Sequence, residues 1–339
     1  SVDAGNTFVN TFSISITSME FHHTNSNVIY GGSKGSTSVY KSSDNGISWN
    51  QAGIGLPSQS DVVRACVGVT ADNPSVVYAL FGGNNNGFYG VYKSTDEGQT
   101  WSQQANSPNL LGWSTTGSDS DGQAWYDLAF EVSPQDENTL FVGGVNCWKS
   151  TDGGQSWNIN THWYGGGGAN YMHADEHMLK YNPLNNYVYS GNDGGLYYSA
   201  DNGNDWTDIS DGLQITQFYS LGVSQTVQDK VITGAQDNGT FLKTATSWEA
   251  VIGGDGMECI IDYTNANIMY GALYYGDIRK STNGGNSFSS IGPSNNGAWE
   301  TPYELDRNNP EIMYIGYDEL HKTTDGGNSW NIITNNETN

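Results

Sequence analysis

The sequence predicts an all-β fold, a ring of seven four-stranded antiparallel sheets, on three observations. A turn motif recurs about seven times along the chain. Between its copies lie short apolar runs bounded by Gly, Asn and Asp. The 339 residues include 44 Gly, 21 Tyr and 11 Trp, with no long apolar run and no heptad pattern, a profile of many strands and many turns. The motif positions 44, 96, 152, 201, 246, 283 and 325 are roughly 40–55 residues apart, the period of a four-stranded propeller blade. The expected blades cover about 13–53, 61–104, 124–160, 172–211, 216–251, 256–291 and 299–334 of a single domain spanning 1–339.

The turn is clearest at Lys149-Ser150-Thr151-Asp152-Gly153-Gly154-Gln155-Ser156-Trp157. Its relatives centre on Asp44, Asp96, Asp201, Asn283 and Asp325, each followed within five residues by Trp or Phe. A decayed copy at Lys243-Thr-Ala-Thr246-Ser-Trp248 has lost the Asp and the Gly. The carboxylate can accept hydrogen bonds from N–H groups of its own turn. Glycine supplies the positive φ, and the ring closes over the turn between neighbouring sheets. These Asp residues are therefore read as turn braces.

Within each repeat the strands are named A to D in chain order. Expected A strands are 16–21, 62–67, 125–130, 173–180, 217–223, 257–261 and 302–305. Expected B strands are 27–32, 75–80, 139–143, 187–190, 230–233, 268–271 and 312–316. Expected C strands are 38–41, 90–93, 147–149, 196–198, 240–243, 277–280 and 320–322, and the Asp turn joins C to D. One sheet cannot bury both faces alone, so such sheets must stack. The leading stretch 7–12 is a candidate for the seam of the ring.

Twelve Lys and Arg face 36 Asp and Glu, for a net charge of −24. That field repels nucleic acid and anionic membrane and favours cations or cationic partners. Cys66, Cys147 and Cys259 fall in separate strand-like runs and are read as buried fillers, not a disulfide framework. With no signal peptide or membrane-spanning run, the chain reads as a processed, secreted or cell-surface module of something longer.

The Ser-x-Asp-x-Gly-x-Ser/Thr-Trp turns resemble the Asp-box (BNR) repeats of sialidases, sortilin-type receptors and xyloglucanase-type glycoside hydrolases. Longer stretches, among them 122–129, 173–177, 191–195, 234–240, 253–257 and 274–278, resemble the propellers of large secreted Bacteroidetes proteins that carry a type IX sorting domain. In such propellers the box lies between strands C and D, and sites open on the opposite face. That resemblance places Asp127, His173, Asp175 and Asp255 near A-strand starts, and Asp193, Asp237, Asp277 and Asp318 at B-strand ends, on the site face. Two long D–A connections, 103–124 and 158–171, fall there too.

The candidate ligand-binding residues are Trp125, Tyr126, Asp127, His173, Asp193, Tyr219, Tyr274, Tyr275 and Asp277. Alternation along a strand would give His173, Asp175 and His177 one face, a set able to hold a transition metal. Asp119-Ser-Asp121-Gly is a fragment of a Ca²⁺ loop. No cofactor is demanded; Ca²⁺ or another divalent metal is the candidate ion. Asp175, Asp237 and Asp255 could supply a catalytic carboxyl pair. A sialidase is disfavoured, since only Arg64, Arg279 and Arg307 are present and Arg307 sits in an A–B turn. The readings are a recognition module for glycan or extracellular protein, a glycoside hydrolase, and a structural subunit of an extracellular assembly.

Overall fold

A computed structural model describes residues 6–7, 9–35, 37–293 and 297–334. The described residues form β-strands, turns and two short 3₁₀ segments, with no α-helix among them. The chain divides into two compact units, Ser1–Leu213 and Gln214–Asn339. Residues 211–218, at the division, are all exposed.

In the first unit the A strands are Ser15–Phe21, Val62–Val69, Ala129–Val132 and Glu176–Tyr181. The B strands are Ile29–Lys34, Val77–Gly83, Leu140–Gly143 and Val188–Asn192. The C strands are Val39–Ser42, Phe88–Ser94, Cys147–Ser150 and Gly195–Ser199, and short D strands follow each. A to D pair antiparallel in sequence order within each repeat. Repeats one and two are also joined by the pair Lys34↔Arg64. The second unit holds three more four-stranded antiparallel sheets, with A strands Phe218–Val223, Cys259–Ile261 and Tyr303–Leu305.

The B strands explain why the sheets stack. Every residue of Val77–Gly83 is buried, and alternate side chains enter different cores. Tyr78 and Leu80 join a cluster with Leu140, Val142, Trp148 and Trp157. Val77, Ala79 and Phe81 join one with Tyr30, Val39 and Trp101. Strand side chains alternate between faces, so each B strand serves two layers. The D strands are mostly exposed, the outer edge of each sheet.

The Asp turns have one construction. Ser150 Oγ donates to Asp152 Oδ1 (2.8 Å) and accepts from Gly154 N (2.9 Å). Asp152 then accepts from Ser156 N (2.9 Å) and Ser156 Oγ (2.5 Å), while Gly154 takes φ 85°. Trp157 Nε1 closes the turn onto Gly154 O at 3.1 Å. The same core bonds recur at Asp44, Asp96, Asp201, Asn283 and Asp325. At the decayed copy a tight turn forms instead, with Thr244 N bonded to Ser247 O at 2.9 Å, and Trp248 is half exposed.

The Lys that opens five of the motifs has a second task. Lys41, Lys93, Lys149, Lys280 and Lys322 lie over the rings of Tyr30, Tyr78, Phe141, Tyr270 and Tyr314, at 5.3–5.6 Å from the centroids. Each ring is the cross-strand partner on B. Lys41, Lys149 and Lys280 also donate to carbonyls in the Asp turn of a following repeat, those of Glu97, Asn202 and Gly326. A cation on an aromatic face with a carbonyl above it ties consecutive repeats together.

Several expectations are corrected. The third A strand starts at Ala129, not 125, because Gln123 O accepts from Tyr126 N and Asp127 N (2.8 and 3.2 Å) and closes a turn there. The fourth starts at Glu176, not 173, after Asp175 in a left-handed conformation at φ 68°. The connection 158–171 begins as strand Asn158–His162, and Asn170–Tyr171 returns parallel to it. In the leading stretch Phe8 lies outside the described residues. Phe12 packs on Tyr40 and Trp49, and Thr11 donates to Gly46 O, so this segment lies against repeat one's own turn. All three cysteines are buried free thiols; burial pushes the Cys66 thiol up to about 11.

Candidate functional site

Within each sheet A and C run parallel, so the Asp turns and A–B turns share one end, and A-strand starts and B–C hairpins the other. At this second end of the first unit four carboxyl groups gather. Gln123, in the turn before the third A strand, donates through Nε2 to Asp127 Oδ2 (3.0 Å) and to Asp175 Oδ1. Asp127 is fully buried, and its Oδ1 has no donor among the described residues. Burial, reinforced by Asp175 beside it and opposed by Gln123, pushes Asp127 up to about 8. Asp175 is also raised, by partial burial and then by the charge of Asp193. Glu176, almost wholly buried, is pushed up to about 8 by burial, although Ser190 and Asn192 donate to it.

Asp193 goes the other way. Burial alone would raise it, but His177 Nε2 at 2.7 Å and Tyr126 OH at 2.6 Å hold it below the usual carboxylate range. The hydrogen bond to Asp193 raises His177 in turn, and the His177 ring meets Tyr126 edge-on at 4.9 Å. Asp175 and Asp193 offer oxygens within 4.8 Å of one another. Local chemistry builds this arrangement: a Cβ at Gly194 would lie 2.2 Å from His173 Cγ, so only glycine lets the imidazole cover the hairpin.

This geometry revises the sequence-based metal set. His173 and Asp175 precede the strand, so they do not alternate with His177 on one face, and His177 is turned to Asp193. The three do not converge as a ligand trio among the described residues. Asp127, expected as a ligand contact, is buried beneath the surface. Asp119 Oδ2 accepts from Ser114 N at 2.6 Å, and Asn109 Nδ2 donates to the carbonyls of Asp119 and Asp121, so that fragment braces its own loop. Trp125 is exposed.

The second unit carries an aromatic platform. Tyr274 and Trp299 stack at 5.4 Å with planes 6° apart, and Tyr275 stands edge-on to both. Tyr274, Tyr275 and Trp299 are 40%, 50% and 43% exposed. Tyr275 N donates to Trp299 O (3.2 Å) and Gly297 N to Tyr275 O (2.9 Å). Trp299 Nε1 donates to Tyr219 OH (3.0 Å), which donates to Gln236 Oε1 (2.9 Å). Tyr219, Tyr274 and Tyr275 are expected from the sequence, whereas Trp299 is not. Its signal is a recurring Ala-Trp before an A strand: Ala298-Trp299 repeats Ala124-Trp125.

Of the remaining acids, Asp255 Oδ1 accepts from Asp237 N at 2.8 Å, so this proposed catalytic residue braces the hairpin that carries Asp237. Asp277 opens its C strand rather than ending a B strand. Burial would raise its carboxyl, but Ser290 and the Arg279 guanidinium hold it below the usual range. Arg64 donates to the carbonyls of Ala124 and Tyr126.

No protein family matches the sequence, and no curated protein matches it. Among solved structures the chain is similar to a GH74 enzyme of Niastella koreensis, at 15% identity over 95% of this chain and 59% of that one, TM-score 0.41. It is similar to a GH74 xyloglucanase from Xanthomonas campestris at 14% identity over 94% and 54%, TM-score 0.44. YCF48 from Cyanidioschyzon merolae matches at 12% identity over 91% and 95%, TM-score 0.40. The chain thus spans 59% and 54% of the two GH74 structures.

Proposed function

We propose that the repeats close into a seven-bladed propeller that acts as an extracellular recognition module. Its ligand is a glycan, or a protein presenting an equivalent apolar face, and the binding element is the platform of Tyr274, Tyr275 and Trp299. The observation that carries this reading is the exposed parallel stack of Tyr274 on Trp299, fixed by backbone and side-chain bonds before any ligand arrives. Exposed rings held in place offer a flat apolar surface for the CH face of a sugar at little entropic cost, and Asp277 lies at the start of the adjoining strand. Secretion or surface display, further domains in the same protein, and Ca²⁺ or another divalent ion as a structural partner belong to the same proposal.

A glycan array followed by calorimetry tests it. Trp299→Ala is expected to weaken binding by about thirtyfold, the effect of losing one anchor of roughly 2 kcal/mol. Unchanged affinity in Trp299→Ala and Tyr274→Ala would remove the platform from the reading.

One observation favours a second reading, polysaccharide cleavage. Asp175 and Asp193 are displaced in opposite directions and offer oxygens within 4.8 Å. A carboxyl that keeps its proton beside one that loses it is the division of labour of a retaining glycosidase, whose pair stands about 5–5.5 Å apart. Here Asp175 is the acid and Asp193 the carboxylate. Reducing-sugar release should then fall by about 10²–10⁴ in Asp175→Asn. Binding without turnover on the same glycans would exclude the reading.

A further inference from the structure

At the opposite end of the first unit, the end of the Asp turns, a cavity of about 610 Å³ opens where the A strands finish. Much of its wall is apolar, from Phe21, Val69, Ala71, Val132, Pro134 and Pro183. Its charged groups form one line: Lys180 Nζ stands 2.8 Å from Glu20 Oε1 and 3.2 Å from Glu131 Oε2. Glu131 is buried and its other oxygen accepts from Tyr181 N at 2.9 Å. Glu20 is more open, and its second oxygen has no protein donor among the described residues. His22 and His23 complete the lining. His22 Nδ1 accepts from Thr24 N, and burial lowers His23 below its ordinary value.

We propose that this cavity is a binding site for an alkylammonium group, an ammonium on an apolar stem. Two carboxyl groups face a single ammonium; burial pushes Glu131 up to about 7, so a second ammonium beside the pair would hold that carboxyl in its charged form. Lys180 itself shows that an ammonium fits between them. The side chain of Lys180 is 48% exposed, so it can swing aside while the carboxyls stay in place. The apolar wall takes the stem, and a volume of this size suits a small ligand. The chain's net charge of −24 draws cations toward it and repels anions. The site shares no residue with the aromatic platform and stands apart from the recognition reading.

Titrate the whole chain with n-butylamine and with Nα-acetyl-lysine N-methylamide, following the imidazole resonances of His22 and His23 by NMR, with n-butanol and butyrate as uncharged and anionic isosteres. Saturable shifts are expected with both amines and with neither isostere. Glu20→Gln, a change at a partly open side chain, should weaken amine binding about tenfold, and Lys180→Gln, which removes the resident ammonium, should strengthen it. The tighter amine identifies the source, a polypeptide lysine or a free amine. No saturation below about 10 mM amine, an equal response to butanol, or unchanged affinity in folded Glu20→Gln overturns the proposal.

Discussion

Replacing Trp157 by alanine should destabilise the first unit by about 3–5 kcal/mol, the range for removing a large aromatic from a packed core. Trp157 is 7% exposed and belongs to the cluster that joins Tyr78, Leu80 and Val91 of repeat two to Leu140, Val142 and Trp148 of repeat three. It is not merely the lid of its turn; it is part of the layer between two sheets, and the space it leaves is bounded by strands that cannot collapse without losing their own pairing. At roughly 2–4 °C per kcal/mol for a unit of this size, the melting temperature should fall by about 10 °C. Trp157→Phe should cost less, since Phe288 fills the corresponding position in repeat six and the loss is mainly the 3.1 Å bond from Nε1 to Gly154 O. Trp248→Ala, at a half-exposed ring in the decayed copy, should change stability by only about 0.5 kcal/mol. Chemical unfolding of the three variants checks this order; a cost below about 1 kcal/mol for Trp157→Ala would show that the turn tryptophans do not hold the layers together.

The contrast between Trp157 and Trp248 also marks what the sequence makes legible. B and C strands are apolar runs closed by Gly or by the Asp turn, and both signals are local, so their centres can be read directly. A-strand starts depend on whether a backbone turn closes first. Gln123 caps one at residues 124–127, and Asp175 enters a left-handed conformation before another. Nothing in Trp-Tyr-Asp or His-Ala-Asp announces either event. The lysines that open the motifs look like solvated charges until the register sets each over a ring on B. The burial of Asp127 is least legible, because tertiary packing around Ala124 and Gln123 removes it from water. A Cβ at Gly82, on a B strand of repeat two, would stand 2.5 Å from that of Ala124, which shows how closely the layers approach there.

Raising the pH from 5 to 9 should destabilise the first unit, and Asp127→Asn with Glu176→Gln should make that slope shallower. Both carboxyls are pushed up to about 8 in the folded chain, against ordinary values of about 4 once unfolded. Between about pH 4 and 8 the folded state therefore keeps protons that the unfolded chain has released, and stability falls as pH rises through that window. Below about 4 both states are protonated and these two groups are silent; above about 8 the folded chain must hold their charges in a dry site. The Asp turns work in the opposite sense. Hydrogen bonds from Ser48, Thr100 and Ser329 lower Asp44, Asp96 and Asp325 to about 2, so their contribution is present above about pH 4 and disappears as pH falls toward 2. Stability should peak in mildly acidic solution. Asparagine and glutamine reproduce the shape of the neutral acids without a proton to lose, so the double variant need not be more stable at pH 5, but its stability should fall less than the native chain's between pH 5 and 9; Glu131, which burial pushes up to about 7, keeps its own share of the slope below about pH 7. Guanidinium unfolding at pH 5, 7 and 9 measures both slopes. A native chain more stable at pH 9 than at pH 5, or a double variant that keeps the native slope, would mean that Asp127 and Glu176 are already ionised in the folded protein.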